Sequence, residues 1–188
     1  MTGTLSDTPC GYCLVRPPAW RSAISALVYD YPVDHLVKRF KFRRDLACGK
    51  ILADRLKTAV ASRNFPLPDL VLPVPLHFSR QWIRGFNQAE YIALRVASSL
   101  NIRFENRLLT RTRRTAAQSG LHRREREKNL SGAFRCKPLD QRSVALVDDV
   151  LTTGTTLEAC ARVVRRAGAK TVSAWVCARV PAPSRNRS

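Results

Sequence analysis

Apolar residues recur along the chain at two spacings, one typical of buried strands and the other typical of helices. Short apolar runs predict strands at 26–31, 70–76, 144–150 and 171–180, with another short strand and its connection within 101–110. Helical spacing predicts helices that begin at Pro32, cover 47–62, begin at Asn87 and begin at Thr155. Strands that alternate with helices predict an α/β fold with a mainly parallel sheet.

The segment from 144 to 180 carries the clearest pattern. Its first strand is followed by LTTGTT and by a helix in which Thr155 and Glu158 have the spacing of a capping box. Arg165 and Arg166 suit the last turn of that helix, and Gly168 suits its end. The second strand completes a strand–helix–strand unit, which implies parallel pairing.

Length and charge bound the classes of protein that fit. A chain of 188 residues predicts about one domain. Lysine and arginine total 33 against 14 acidic residues, which gives a formal net charge of +19. Arginine forms paired hydrogen bonds with phosphate oxygens, so the excess favours nucleic acid, nucleotides, phosphosugars or an anionic membrane surface as partners. A plain compositional bias toward arginine explains the same excess, and charge alone does not decide.

Two classes of protein are excluded by the apolar pattern. No run approaches the ~18 apolar residues that a membrane-spanning helix needs. The first ten residues have neither the basic region nor the apolar region of a secretory signal. We therefore expect a cytoplasmic protein whose six cysteines are reduced.

The strongest candidate site is the acidic pair Asp148 and Asp149 together with the loop that follows it. A buried strand delivers both carboxylates to its carboxyl end, where doubly wound sheets bind ligands. The loop contains Thr152, Thr153, Gly154, Thr155 and Thr156, and it opens a helix whose N-terminal N–H groups favour an anion. Taken separately, the pair is an ordinary strand end and the loop an ordinary solvated turn. Joined in this order, they favour carboxylates for sugar hydroxyls or a hydrated Mg²⁺ beside a phosphate cradle.

Residues 144–156 resemble the signature of type I phosphoribosyltransferases that binds 5-phosphoribosyl 1-pyrophosphate (PRPP). Two further stretches resemble the ComF/GntX branch of that family: residues 73–90, and the spaced motif of Thr115, Gln118 and Leu121 followed by Arg126, Asn129 and 133–134. The resemblance implies a doubly wound, mainly parallel sheet with a small hood region. It further implies that Asp148 and Asp149 contact the ribose and Mg²⁺, and that the loop Thr152–Thr156 holds the 5-phosphate.

The resemblance also assigns roles to five arginines. Arg80 and Arg84 follow the predicted strand at 70–76 and are candidates to hold the pyrophosphate. Arg111, Arg114 and Arg126 belong to a charged segment that would form the hood loop, at about 111–135. This loop would close over the site and bring the three guanidinium groups to the pyrophosphate. The alternative for Arg80 and Arg84 is that they are ordinary surface arginines in an arginine-rich protein. The alternative for the charged segment is that it is a solvated run of charge.

The ends of the chain are predicted to be separate from the domain at 21–181. Residues 1–20 resemble the remnant of a zinc ribbon, in which Cys10 and Cys13 form one cysteine pair. A structural zinc site needs four ligands, so this half-site would bind Zn²⁺ only with another chain, for example in a homodimer. Either a longer natural protein precedes this start or the ribbon has decayed. Residues 182–188 are expected to be a mobile tail.

The resemblance implies Mg²⁺-dependent binding of PRPP and transfer of its phosphoribosyl group to a base or amine, with release of pyrophosphate. The alternative is a factor for DNA uptake or use that binds single-stranded nucleic acid and keeps the fold as a binding or regulatory module. The net charge suits that alternative, whereas an aromatic content of 7% offers few stacking platforms. The two functions can coexist, and the sequence identifies no acceptor.

Overall fold

The computed structural model describes residues 14–15, 17–76, 85–112, 130 and 132–181. Its main sheet has five strands, all parallel, in the order β1-β7-β6-β2-β3. The strands are β1 (Ser22–Val28), β2 (Leu70–Pro73), β3 (Arg103–Phe104), β4 (Leu109–Arg111), β5 (Phe134–Cys136), β6 (Ser143–Leu151) and β7 (Thr171–Arg179). The helices are α1 (Val33–Arg43), α2 (Leu46–Ala61), α3 (Gln88–Ser99) and α4 (Thr155–Arg166). The predicted α/β class with a parallel sheet is confirmed.

The chain winds outward in opposite directions from the neighbouring strands β2 and β6. Alternate residues of β6 separate two apolar cores, with Val144 and Leu146 on one face and Ala145 and Val147 on the other. Helix α3, which connects β2 to β3, packs on the second face together with α1 and α2. Helix α4, which connects β6 to β7, packs on the first face. The ends of β2 and β6 therefore form a topological switch point, where doubly wound sheets bind ligands.

Helix α1 is anchored by Phe40, which is fully buried. Its ring makes edge contacts with Phe86, at 5.3 Å between centroids, and a tilted contact with Tyr91 at 5.4 Å. Gly49 of α2 lies against the same ring, which leaves no room there for a Cβ atom. This packing fixes the C-terminal end of α1 beside the start of α3.

Two details of the predicted elements are wrong. Strand β1 starts at Ser22 and ends at Val28, because it follows the register of β7 rather than the apolar run at 26–31. Helix α4 has no capping box: Gly154 is its N-cap, and no side chain caps it. The Glu158 carboxylate instead accepts hydrogen bonds from the Ala19 amide, at 2.9 Å, and from the Arg162 guanidinium, at 2.8 Å.

The base of the predicted hood is an antiparallel hairpin of β4 and β5. It contributes Leu109 and Phe134 to the core that α4 also joins. Most of the predicted hood loop lies outside the described residues, and so do most of the N-terminal appendage and the tail at 182–188. Of the N-terminal segment, Ala19 and Trp20 pack against the core on the α4 face.

Candidate active site at the ends of the central strands

The acidic pair lies near the end of β6, where successive side chains point to opposite faces of the sheet. Asp148 follows Val144 and Leu146 at alternate positions of β6 and therefore lies on the α4 face. Asp149 is 7% exposed and pairs with Lys41 of α1 on the other face. The Asp149 amide donates to Asp148 Oδ1 at 2.9 Å, which fixes one carboxylate relative to the other.

Asp148 is held in an environment that disfavours its charge. Burial, and then the charge of Asp149, raise the pKa of Asp148 to about 7, while the Asp149 amide and Lys41 oppose that rise. A carboxyl group with this pKa is about half protonated near neutral pH. A ligand that brings positive charge or hydroxyl donors will favour the ionised form, so binding and ionisation of Asp148 are linked.

The loop after the acidic pair adopts the conformation that its glycine permits. Gly154 has a φ of 74°, in the left-handed region, and its carbonyl accepts the amide of Glu158 at 2.8 Å. The hydroxyls of Thr153 and Thr155 lie 2.9 Å apart. The whole loop from Thr152 to Thr156 lines one concavity with Asp148 at the N-terminus of α4. The structure thus places Asp148 beside the loop that is predicted to hold the phosphate, and the roles of these residues stay predictions.

A cleft of about 150 Å³ joins this pair to the end of β2. Its wall is formed by Lys41, 74–76, 87–89, Arg111, Asp148, Asp149 and Thr156. Asn87 ties two of these segments together, because its Nδ2 donates to the Val74 carbonyl at 3.2 Å and its Oδ1 accepts the Ala89 amide at 3.1 Å. Asn87 is thus the N-cap of α3, and it also positions the chain that leaves β2.

Arg111 is the predicted pyrophosphate residue that the structure describes. It lies on β4 and lines the cleft, with its guanidinium carbon 5.4 Å from the centre of the Phe134 ring. Burial, and then the charge of Asp148, raise the pKa of the Cys160 thiol, while the charge of Arg111 opposes that rise. Arg80, Arg84, Arg114 and Arg126 lie outside the described residues, and their roles stay predictions.

One basic residue of the site, Lys41, was missed by the sequence reasoning. It lines the cleft, and its Nζ lies 2.8 Å from Asp149 Oδ2. A signal for Lys41 was present, since it follows the buried Val37 by one helical turn and therefore lies on the apolar face of α1.

The side chains of the cleft suit Mg²⁺ better than they suit a metal ion that is held by protein ligands alone. Mg²⁺ is commonly held by one or two carboxylates together with substrate phosphates and water. Asp148 and Asp149 supply such carboxylates, and the residues that the structure describes contain no cluster of three or more histidine, cysteine or acidic side chains suited to a metal ion. Cys10 and Cys13 lie outside the described residues, so the zinc half-site stays a prediction.

Comparisons with known proteins show which family this chain resembles. The phosphoribosyl transferase domain family matches residues 88–187. A DNA utilization protein, YhgH, of Salmonella typhi is 38% identical over 176 residues, which cover 91% of this chain and 78% of that protein. Competence protein F of Haemophilus influenzae is 35% identical over 178 residues, covering 90% of this chain and 78% of that protein.

The chain belongs to the ComF/GntX family of type I phosphoribosyltransferases. Solved structures that it matches include an orotate phosphoribosyltransferase from Aeropyrum pernix, with 20% identity, a TM-score of 0.43, and coverage of 72% of this chain and 61% of that one. Within the described part of this ComF-like chain, no helix is both long enough and apolar enough to cross a membrane.

Proposed function

We propose that this ComF-like protein binds PRPP with Mg²⁺ and transfers its phosphoribosyl group to a nitrogen acceptor, a base or an amine. The observation that supports the proposal is the convergence of the acidic pair, the Thr152–Thr156 loop and the end of β2 at one switch point. These three features match the three charged or polar parts of PRPP, which are the ribose hydroxyls, the 5-phosphate and the pyrophosphate.

In this mechanism the carboxylates of Asp148 and Asp149 accept hydrogen bonds from ribose hydroxyls. The amides and hydroxyls of the loop donate to the 5-phosphate, aided by the dipole of α4. The bond between the anomeric carbon and the pyrophosphate oxygen breaks, a bond from that carbon to nitrogen forms, and the proton of the nitrogen passes to water. Arg111 lines the same cleft and stabilises negative charge on the departing pyrophosphate. Bound Mg²⁺, held by Asp148 and Asp149, would neutralise charge on the phosphate oxygens.

Release of pyrophosphate from PRPP, measured against a panel of bases and amines, tests the transfer step. We expect release with at least one acceptor, and we expect it to disappear in a variant that carries Asp148→Asn and Asp149→Asn. Release that persists at the wild-type rate in that variant would show that the reaction occurs elsewhere. If no acceptor of the panel gives release of pyrophosphate, transfer is contradicted and binding is left as the function.

A second candidate function is the handling of single-stranded DNA. Relatives of this chain are named a DNA utilization protein and Competence protein F, and α4 exposes Arg162, Arg165 and Arg166 to solvent. Contacts of this kind with phosphates weaken steeply as salt rises. We expect DNA affinity to fall by at least about tenfold between 50 and 200 mM salt, and to survive the double asparagine variant. Loss of DNA binding in that variant would contradict a DNA surface separate from the acidic pair.

A further inference from the structure

Lys41 occupies a position in the cleft that the proposed reaction does not explain. Its ammonium lies 2.8 Å from Asp149 Oδ2, and the two side chains are only 25% and 10% exposed. The lysine comes from α1, far in sequence from the 144–156 signature. Removing these two charged groups from water costs free energy, which can exceed the gain from their attraction. The ion pair is therefore weak evidence that Lys41 serves only to stabilise the fold.

The backbone of Lys41 is held in place while its side chain reaches into the cleft. The preceding residue, Phe40, is fully buried against Phe86 and Tyr91. The carbonyl of Lys41 also accepts a long hydrogen bond, 3.5 Å, from Nε2 of the buried Gln88 at the start of α3. The helix therefore holds the base of the Lys41 side chain at the cleft wall, from which the ammonium reaches Asp149.

The charges around Lys41 would compete for it when a ligand binds. Among the described residues, the cleft is lined by the carboxylates Asp148 and Asp149 and by the cations Lys41 and Arg111. A divalent cation that approaches Asp149 meets a carboxylate already paired with an ammonium. A phosphate or pyrophosphate group that enters the cleft brings new acceptors for that same ammonium.

We propose that Lys41 is a ligand-binding residue that exchanges partners, pairing with Asp149 before the ligand enters and with an anionic phosphate oxygen of the ligand afterwards. The inference rests on the proposed function, because it takes a Mg²⁺-bound diphosphate as the ligand. It predicts two effects of opposite sign when the ammonium is removed. The acidic pair should bind a divalent cation more tightly, and the protein should bind the phosphate ligand more weakly.

The test compares Lys41→Met with the control Lys38→Met in the chain of 188 residues. Lys38 lies on the same helix and also pairs with an aspartate, Asp34, at 2.7 Å, but its side chain is 56% exposed and the pair is not part of the cleft wall. Binding of Mn²⁺ alone is measured by electron paramagnetic resonance. Binding of Mg²⁺–PRPP, and separately of Mg²⁺–pyrophosphate, is measured by calorimetry.

We expect Lys41→Met to bind Mn²⁺ at least about tenfold more tightly than wild type, and Mg²⁺–PRPP at least about tenfold more weakly. Lys38→Met should match wild type in both measurements. Lys41→Met leaves Asp149 without its counter-ion. Lys41→Arg is therefore included as a second variant, which changes the side chain but keeps the positive charge beside Asp149. It should hold both affinities within about threefold of wild type.

Three outcomes would overturn the inference. Equal Mn²⁺ affinity in wild type and Lys41→Met, or no measurable Mn²⁺ binding in either, would show that Lys41 does not compete for Asp149. Weaker binding of both ligands in Lys41→Met would indicate a structural role alone. Unchanged affinity for Mg²⁺–PRPP in Lys41→Met would show that the ammonium never reaches the ligand. A wild-type protein that binds neither PRPP nor pyrophosphate would contradict the proposed function itself. The Mn²⁺ measurement would then still show whether Lys41 competes with a divalent cation for Asp149.

Discussion

Replacing Asp148 with asparagine should stabilise the protein at pH 8 and at the same time remove most of its affinity for Mg²⁺–PRPP. Burial and the charge of Asp149 raise the pKa of Asp148 to about 7, against a usual value of 3.8. The folded protein therefore holds this proton more tightly than the unfolded chain does, and the stability of the wild type should fall as pH rises from about 4 to about 7.

The size of this effect follows from the two pKa values. Their difference corresponds to roughly 4 kcal/mol, and because solvent reaches one side of this half-buried group we expect about 1–3 kcal/mol. Asp148→Asn removes the ionisation, so its free energy of unfolding should exceed that of the wild type by this amount at pH 8 and match it near pH 4. Its affinity for Mg²⁺–PRPP should fall by at least about 30-fold, because a charged acceptor for the ribose is lost.

Urea unfolding at several pH values and calorimetric titration measure both halves of this prediction. Asp69→Asn is the matched control, since Asp69 lies at the opposite ends of β2 and β6 and accepts the Ser143 amide at 2.7 Å. Hydrogen bonds from Ser143 lower the pKa of Asp69, so this variant should lose stability at neutral pH and keep its ligand affinity. If Asp148→Asn loses as much stability between pH 4 and pH 8 as the wild type does, ionisation of Asp148 is not the cause of that loss.

Gly154→Ala should weaken binding of PRPP by at least about tenfold and lower the free energy of unfolding by about 1–2 kcal/mol. Gly154 has a φ of 74°, which strains any residue with a Cβ atom. That atom would also lie 3.2 Å from the Trp20 ring and 3.4 Å from the Leu151 side chain. The unfavourable φ, together with the tight contact with Trp20, would displace the loop, and its amides would no longer converge on the 5-phosphate.

Gly168→Ala separates loss of stability from loss of binding. Gly168 follows the other end of α4 with a φ of 93°, and a Cβ atom there would be 4.0 Å from its nearest neighbour, the Asp140 amide nitrogen. This variant should lose a similar amount of stability and keep full affinity for PRPP, as measured by urea unfolding and calorimetry. If Gly154→Ala binds PRPP as tightly as Gly168→Ala does, the loop is not the phosphate site.

The sequence predicted well the elements whose structure depends on residues close together in the chain. The apolar runs of β6 and β7 and the stripe of α4 identify a strand–helix–strand unit, and its parallel pairing is confirmed. The acidic pair and the phosphate loop are neighbours in sequence, so their meeting in space needed only that unit. Their adjacency in one concavity is the part of the site that a sequence can predict directly.

Features that depend on contacts between distant segments were missed. The start of β1 is set by its register with β7, where Ser22 lies opposite Ser173. Glu158 does not cap α4, because the Ala19 amide from the N-terminal segment takes its carboxylate. Lys41 and Asp149 meet only because the packing of Phe40 brings α1 to the end of β6. No local spacing encodes these pairings, although a lysine on an apolar helical face marks a position to examine.

Thermal unfolding of the wild type with and without Mg²⁺–PRPP tests most directly whether the acidic pair and its loop form a PRPP site. At a ligand concentration about 100-fold above the dissociation constant, binding should add about 2.7 kcal/mol, or roughly 5–10 °C in Tm for a chain of this size. The variant with Asp148→Asn and Asp149→Asn should show no shift. A wild-type Tm that does not move at millimolar PRPP, or an equal shift in the double variant, would contradict the account.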